Sequence, residues 1–225
     1  ENIKLVENSL AGLGKTGEDD TWSLAERMKI YNVNGVSIAV IHNYQVEWAR
    51  GYGFADVSEK RPVTEATLFQ AASISKSLNS IGVLKLVQEK KLDLNSDINT
   101  YLVKWKFPYD TMSHNKVITI ANLLSHTGGL TIHGVPGYAK GEALPTLPQI
   151  LDGQKPANTE PVRSSIEPGK RVIYSGGGVT ISQMIVMDIT NQPYDKFMQE
   201  NVLDQLGMTG STFSQPPPAD KEKIL

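Results

Sequence analysis

Ser73-Ile74-Ser75-Lys76 places a hydroxyl and a primary amine three positions apart. At the start of a helix that spacing puts both side chains on one face, where they can meet. A serine is a poor nucleophile until a neighbouring base takes its proton, and a lysine can be that base when partial burial lowers its pKa. The N-terminus of the helix adds a field that favours the developing alkoxide, and its backbone N–H groups can form an oxyanion hole. The same four residues also describe an ordinary serine N-cap followed by a solvated lysine. The pattern alone leaves both readings open.

A second group able to move protons is Tyr174, in the run Arg171-Val172-Ile173-Tyr174-Ser175-Gly176-Gly177-Gly178. Glycines beside a tyrosine let a substrate approach, because no side chain obstructs the backbone. A phenol whose pKa is depressed by a nearby ammonium can act as both general base and general acid. The plainer alternative is a core tyrosine preceding a Gly-rich turn.

These residues need elements to hold them. Trp22 to Tyr31 has amphipathic spacing and predicts a helix. Gly35 to Ile41 and Gln45 to Arg50 flank the turn His42-Asn43-Tyr44 and predict a β-hairpin. Asp56 to Pro62 reads as a polar loop leading to Phe69-Gln70-Ala71-Ala72. From Ser73 to Lys91, Leu78, Ile81, Leu84 and Val87 recur at near-helical spacing, with Gly82 allowing close packing. Thr119 predicts the N-cap of a helix through Leu123 and Leu124, ending at His126-Thr127-Gly128-Gly129. Residues 131–160 read as a long irregular region. There Tyr138, like Tyr44 in the hairpin turn, could line a substrate cleft or simply lie on the surface. A helix follows Gly178 through Ile181, Ile185 and Ile189, is broken at Asn191-Gln192-Pro193, and resumes over Tyr194 to Leu203. An early hairpin followed by mostly helical chain predicts an α+β or α/β class.

Composition removes several functions. The 225 residues contain no cysteine, which excludes a disulfide framework, a thiol nucleophile and a thiolate metal site. A net charge of −2 argues against nucleic acid as the main partner, since binding its backbone needs a basic surface. No apolar run approaches the roughly 18 residues of a membrane span. His42, His114, His126 and His133 lack metal-ligand spacing, so neither metal nor cofactor is expected. His126 reads as ordering its own Gly-rich loop. No Gly-x-Ser-x-Gly elbow supports a Ser-His-Asp site. Gly14-Lys15-Thr16 fails as a phosphate loop because position 9 is Ser9.

Taken in order, Ser73-Ile-Ser-Lys76, Leu92-Asp93-Leu94, Ile118-Thr119-Ile120 through Leu130, Pro168-Gly169, Tyr174-Ser175 and Leu206-Gly207-Met208 resemble the serine hydrolases related to β-lactamases. That group comprises class C β-lactamases, penicillin-binding D,D-peptidases and family VIII-type esterases. The resemblance runs from about the hairpin to about Phe213. It implies Ser73 as the nucleophile that forms an acyl-enzyme and Lys76 as the partner that helps deprotonate it. It implies Tyr174 as general base and proton shuttle, with the Ser73 N–H as half of an oxyanion hole. Gln70 and Gly176 are the implied substrate-binding positions.

Gly176 departs from the pattern, because it replaces the asparagine of Tyr-x-Asn that hydrogen-bonds a substrate amide. An ester or another small acyl compound gains ground over a β-lactam or peptide. The third family motif, Lys/His-x-Gly on a late strand, is not found after Tyr174. Lys15-Thr16-Gly17 spells it too early, and reads as coincidence.

The implied fold is an αβα sandwich, an antiparallel sheet flanked by helices, with an all-helical subdomain and its C-terminal strands supplied from elsewhere. Expected divisions are 1–72 (N-terminal helix and hairpin), 73–213 (helical region with both motifs) and 214–225 (Pro-rich linker). A second chain or C-terminal fragment is the expected partner for the sheet. Export with a removed signal peptide is the expected localisation, with the cytoplasm as the alternative. A catalytically silent penicillin-binding or sensor-type protein on this scaffold is the competing function.

Overall fold

The computed structural model describes residues 2–11, 21–139, 141–222 and 224. Lys15-Thr16-Gly17 lies outside the described residues. The chain divides into two compact units, residues 1–70 with 218–225, and residues 71–217.

The first unit holds α1 (Asn2–Asn8), β1 (Leu10–Ala11), β2 (Thr21–Trp22), α2 (Leu24–Ile30), β3 (Gly35–His42), β4 (Gln45–Asp56) and β5 (Arg61–Pro62). β1 pairs with β2, and β3, β4 and β5 form a separate sheet in that order, all antiparallel. Helix α2 starts later than the apolar spacing predicts. Ser23 takes the N-cap and forms a reciprocal capping box with Glu26, while Trp22 stays extended under the Arg27 guanidinium, 3.2 Å above its ring.

The hairpin turn is Asn43-Tyr44, with φ of 49° and 62°. Two consecutive left-handed residues give the twist that suits a two-residue hairpin. β4 runs on to Asp56 rather than ending at Arg50, and the expected loop returns as β5, with Phe54 opposite Pro62 and Asp56 opposite Arg61. Proline lacks an N–H but is tolerated on an edge strand. A Cβ at Gly51 would lie 2.2 Å from the Val63 carbonyl oxygen, so glycine permits this close passage. No residue of β3, β4 or β5 is buried. Ile41 and its cross-strand partner Val46 are 68% and 63% exposed.

The second unit is helical: α3 (Ser75–Gln88), α4 (Ile98–Tyr101), α5 (Ile120–Leu124), α6 (Leu147–Asp152), α7 (Gly176–Thr190) and α8 (Tyr194–Met198), extended by a π-turn over Gln199–Leu203. The main hydrophobic cluster lies within it, between Val83 and Val202. α7 is its centre, with Ile181, Met184, Ile185 and Val186 buried. It packs against α3, α4, α5, α6 and α8.

The inner face of α3 differs from the predicted one. Asn79, Gly82, Val83 and Leu86 are buried, whereas Ile81 and Leu84 are left 43% and 45% exposed. The reason is specific fit rather than hydrophobicity. The Asn79 amide donates to Ser182 Oγ (2.9 Å) and its carbonyl oxygen accepts from the Tyr194 hydroxyl (2.7 Å), which satisfies a polar group in the core. At Gly82 a Cβ would come within 2.8 Å of Met198 Sδ. α5 starts at its predicted N-cap, Thr119, in a capping box with Asn122. The region predicted as irregular contains α6, capped by Thr146 and Gln149.

Candidate active site

Ser73 lies in the 3-10 turn Ala72–Ile74 that leads into α3. The residue before it, Ala72, has φ of 44°, a conformation costly for a residue with a Cβ. Lys76 follows in the first turn of α3, and its Nζ donates to Ser73 Oγ at 2.9 Å. Tyr174 is 101 residues further on, yet its hydroxyl lies 2.8 Å from the same oxygen. Ser73 Oγ therefore sits between an amine and a phenol, both within direct proton-transfer distance. Lys76 Nζ is also 5.0 Å from the centre of the Tyr174 ring. Ser73 and Tyr174 are exposed and Lys76 half-buried.

Tyr174 is held by the loop after α5. Thr127 N–H closes the turn onto the Asn122 carbonyl, and the Asn122 side chain donates to Thr127 Oγ1, both at 2.9 Å. His126, at φ 57°, and Gly129, at φ 64°, bend the chain. A Cβ at Gly129 would lie 2.3 Å from the Ile166 carbonyl oxygen, so only glycine fits. Residues 163–177 are then tied to this template by backbone bonds. Ser165 N–H donates to the Gly129 carbonyl (2.7 Å), Gly169 N–H to that of Thr127 (2.8 Å) and Ile173 N–H to that of His126 (2.7 Å). Ser175 Oγ donates to the Thr131 carbonyl (2.8 Å) and accepts from Gly178 N–H (3.0 Å) as the N-cap of α7.

Two histidines flank the tyrosine. His126 packs its ring on that of Tyr174, with centroids 4.5 Å apart and planes at 40°. Its Nδ1 accepts from Ser175 N–H at 3.2 Å. His133 Nδ1 lies 2.6 Å from the Tyr174 carbonyl oxygen. Sequence reasoning placed His126 in its loop but assigned neither histidine to Tyr174. The signal was present in His126-Thr127-Gly128-Gly129, a turn motif with a titratable side chain at a left-handed position.

The electrostatics fit proton transfer. Hydrogen bonding from Lys76, and then from Ser73, favours the phenolate and holds the Tyr174 phenol below its ordinary pKa of 10. Burial, and then the charge of Lys76, hold His126 below the ordinary 6.5 of an imidazole.

The remaining expected positions are placed less directly. Gly176 N–H donates to the His133 carbonyl at 3.3 Å, and a Cβ there would meet only ordinary contacts, the nearest at 3.4 Å. Its two successors serve packing: Gly177 and Gly178 are buried, and a Cβ on Gly177 would fall 2.6 Å from Val162 Cγ2. Gly177 and Gly178 thus seat α7 closely. Gln70 is exposed and ends the first unit.

Residues 23–223 match the Beta-lactamase family. Among curated proteins, Protein flp of Staphylococcus aureus (strain N315) is 28% identical over 187 residues, which is 82% of this chain and 36% of flp. A protein named Beta-lactamase from Pseudomonas fluorescens is 29% identical over 191 residues, 84% of this chain and 48% of that protein. The structure of an octameric penicillin-binding protein homologue from Pyrococcus abyssi superposes with a TM-score of 0.65 at 26% identity. It covers 82% of this chain and 42% of that one. The chain thus spans less than half the length of these relatives. Its mixture of helices with small antiparallel sheets is part of the β-lactamase/transpeptidase-like fold. With a match over most of its length, the chain belongs to the beta-lactamase family, within the serine hydrolase superfamily.

Proposed function

We propose that the protein hydrolyses a small acyl substrate, an ester in preference to an amide, through an acyl-enzyme on Ser73. The observation that carries this is the position of Ser73 Oγ, 2.9 Å from Lys76 Nζ and 2.8 Å from the Tyr174 hydroxyl. In the reactive state Tyr174 is a phenolate, stabilised by the Lys76 ammonium, and the Ser73 hydroxyl donates to it over the same distance. As Oγ attacks the carbonyl carbon, its proton passes to the phenolate, and negative charge develops on the carbonyl oxygen. The Ser73 N–H at the head of α3 is one donor for that oxyanion. Collapse expels the leaving alkoxide, which takes the proton from Tyr174. A water then repeats the sequence with Tyr174 as base, releasing the acid and restoring Ser73.

Gly176 supports the ester preference, since it offers no side-chain amide for a substrate N–H or C=O. Gln70 remains a proposed contact on the substrate side. We further propose that β3–β5 belong to a larger sheet, completed by strands outside these 225 residues that carry a Lys/His-x-Gly motif. The strands supporting this are those with no buried residue, in a chain whose match covers less than half the length of the three relatives named above. Cooperative unfolding of a monodisperse preparation of these residues alone would count against that completion.

A fluorophosphonate followed by peptide mass mapping tests the nucleophile. Label is expected on Ser73, and Ser73→Ala should abolish turnover with the fold unchanged; label elsewhere, or none, would sink the assignment. Comparing a short-chain nitrophenyl ester, a chromogenic cephalosporin and a D-Ala-D-Ala peptide tests the substrate class, with multiple turnovers expected on the ester. Acylation without turnover would favour the competing reading, a silent binding protein, for which Gly176 is also the motive.

A further inference from the structure

Tyr174 does not hold itself against Ser73. Its flanking residues are both bonded to His126: Ile173 N–H to the backbone carbonyl at 2.7 Å and Ser175 N–H to ring Nδ1 at 3.2 Å. Between those two anchors the imidazole lies against the phenol ring. One residue thus fixes the backbone on either side of Tyr174 and the face of its side chain.

Whether each Nδ1 carries a hydrogen follows from its partner. A backbone N–H can only donate, so His126 Nδ1 must carry a lone pair, and the ring is neutral with its hydrogen on Nε2. A carbonyl can only accept, so His133 Nδ1 carries a hydrogen toward Tyr174. Protonating His133 leaves its bond intact. Protonating His126 puts a hydrogen on Nδ1 facing the Ser175 N–H, and the bond is lost.

We propose that His126 is a positioning residue for Tyr174 and an acid-sensitive one: its neutral imidazole keeps the phenol in line with Ser73, and its protonation releases it. The inference rests on Tyr174 serving as the base of a serine hydrolase. The ionisable groups acting on His126 are the Lys76 ammonium from α3 and the Tyr174 phenol from the segment before α7. The ammonium opposes a second positive charge, and burial acts in the same direction. The neutral ring therefore persists below pH 6.5, and its loss comes on the acid side of that value.

The test is the rate at which a fluorophosphonate phosphonylates Ser73, with loss of fluoride, across pH, in the intact protein and in H126A and H126N. Asparagine offers an oxygen near the position of Nδ1 but does not titrate. In wild type, log rate should rise with pH as Tyr174 loses its proton. On the acid side it should steepen from a one-proton to a two-proton dependence as His126 also charges. H126A should lower the limiting phosphonylation rate by about 10- to 100-fold, with little change in probe affinity. H126N should recover most of that loss and show a one-proton acid limb throughout. A two-proton limb retained in H126N, or wild-type rates in H126A, would overturn the role of His126 while Ser73 labelling still upheld the hydrolase. Absence of label on wild-type Ser73 would overturn the hydrolase reading, and this inference with it. Should H126A fail to fold, the limb in H126N decides.

Discussion

In the proposed mechanism Ser73 needs a neighbour that accepts its proton at working pH; Tyr174 is that neighbour, and Lys76 stabilises its phenolate. Lys76 comes from the same turn and its reach was legible from three-residue spacing. Tyr174 comes from 101 residues away, and no local rule brings it there. The lysine's effect on the phenol can be measured directly. Lys76→Met removes the hydrogen bond that contributes most to depressing the Tyr174 phenol, so its titration should rise toward 10, followed as the phenolate absorbance absent from Tyr174→Phe. The sign follows from the proposed base role of Tyr174. A phenol held low is a competent base at lower pH, so the ascending limb of activity should lie below 10 in wild type and move alkaline in Lys76→Met. Tyr174→Phe should slow acylation by about 100-fold or more, within the usual range for a positioned general base. An unshifted phenol in Lys76→Met would separate the two side chains functionally.

The elements around the site are set by caps and close approaches that hydrophobic spacing does not report. Thr119 was recognisable as an N-cap because its side-chain chemistry is local. The buried stripe of α3 was not, because Asn79 and Gly82 are chosen by their partners Ser182, Tyr194 and Met198. Gly177 follows the same logic. Adding a methyl there puts it 2.6 Å from Val162 Cγ2, and Gly177→Ala should cost about 1–3 kcal/mol in urea unfolding. Pairing it with Val162→Ala, which vacates that space, should return part of the loss. Strictly additive losses in the double variant would show that the clash is not the cause. Asn79→Ala should also cost about 1–3 kcal/mol, since it strands the hydroxyl of Tyr194 in the core.

Across the whole molecule, burial is divided unevenly between the two units. The residues of α7 sit at the centre of the helical cluster, whereas β3–β5 contribute no buried residue. Amide hydrogen exchange should therefore find Ile181–Val186 among the slowest amides and the β3–β4 hairpin among the fastest strand amides. Equal protection of the two would contradict this. The sequence by itself determined the local parts: the hairpin, the Thr119 cap, the break at Asn191-Gln192-Pro193, and an ordered set of motifs pointing to the beta-lactamase family. These are legible because turn chemistry, capping and side-chain spacing act over a few residues. Tertiary structure decided which face of α3 is buried, that Arg61-Pro62 is a strand, and that Gly177 and Gly178 serve packing. It also decided that His126 and His133 close on Tyr174. Apart from the short β4–β5 return, where Arg61 and Pro62 pair with Asp56 and Phe54, those outcomes depend on partners distant in sequence, whose fit outweighs any local preference.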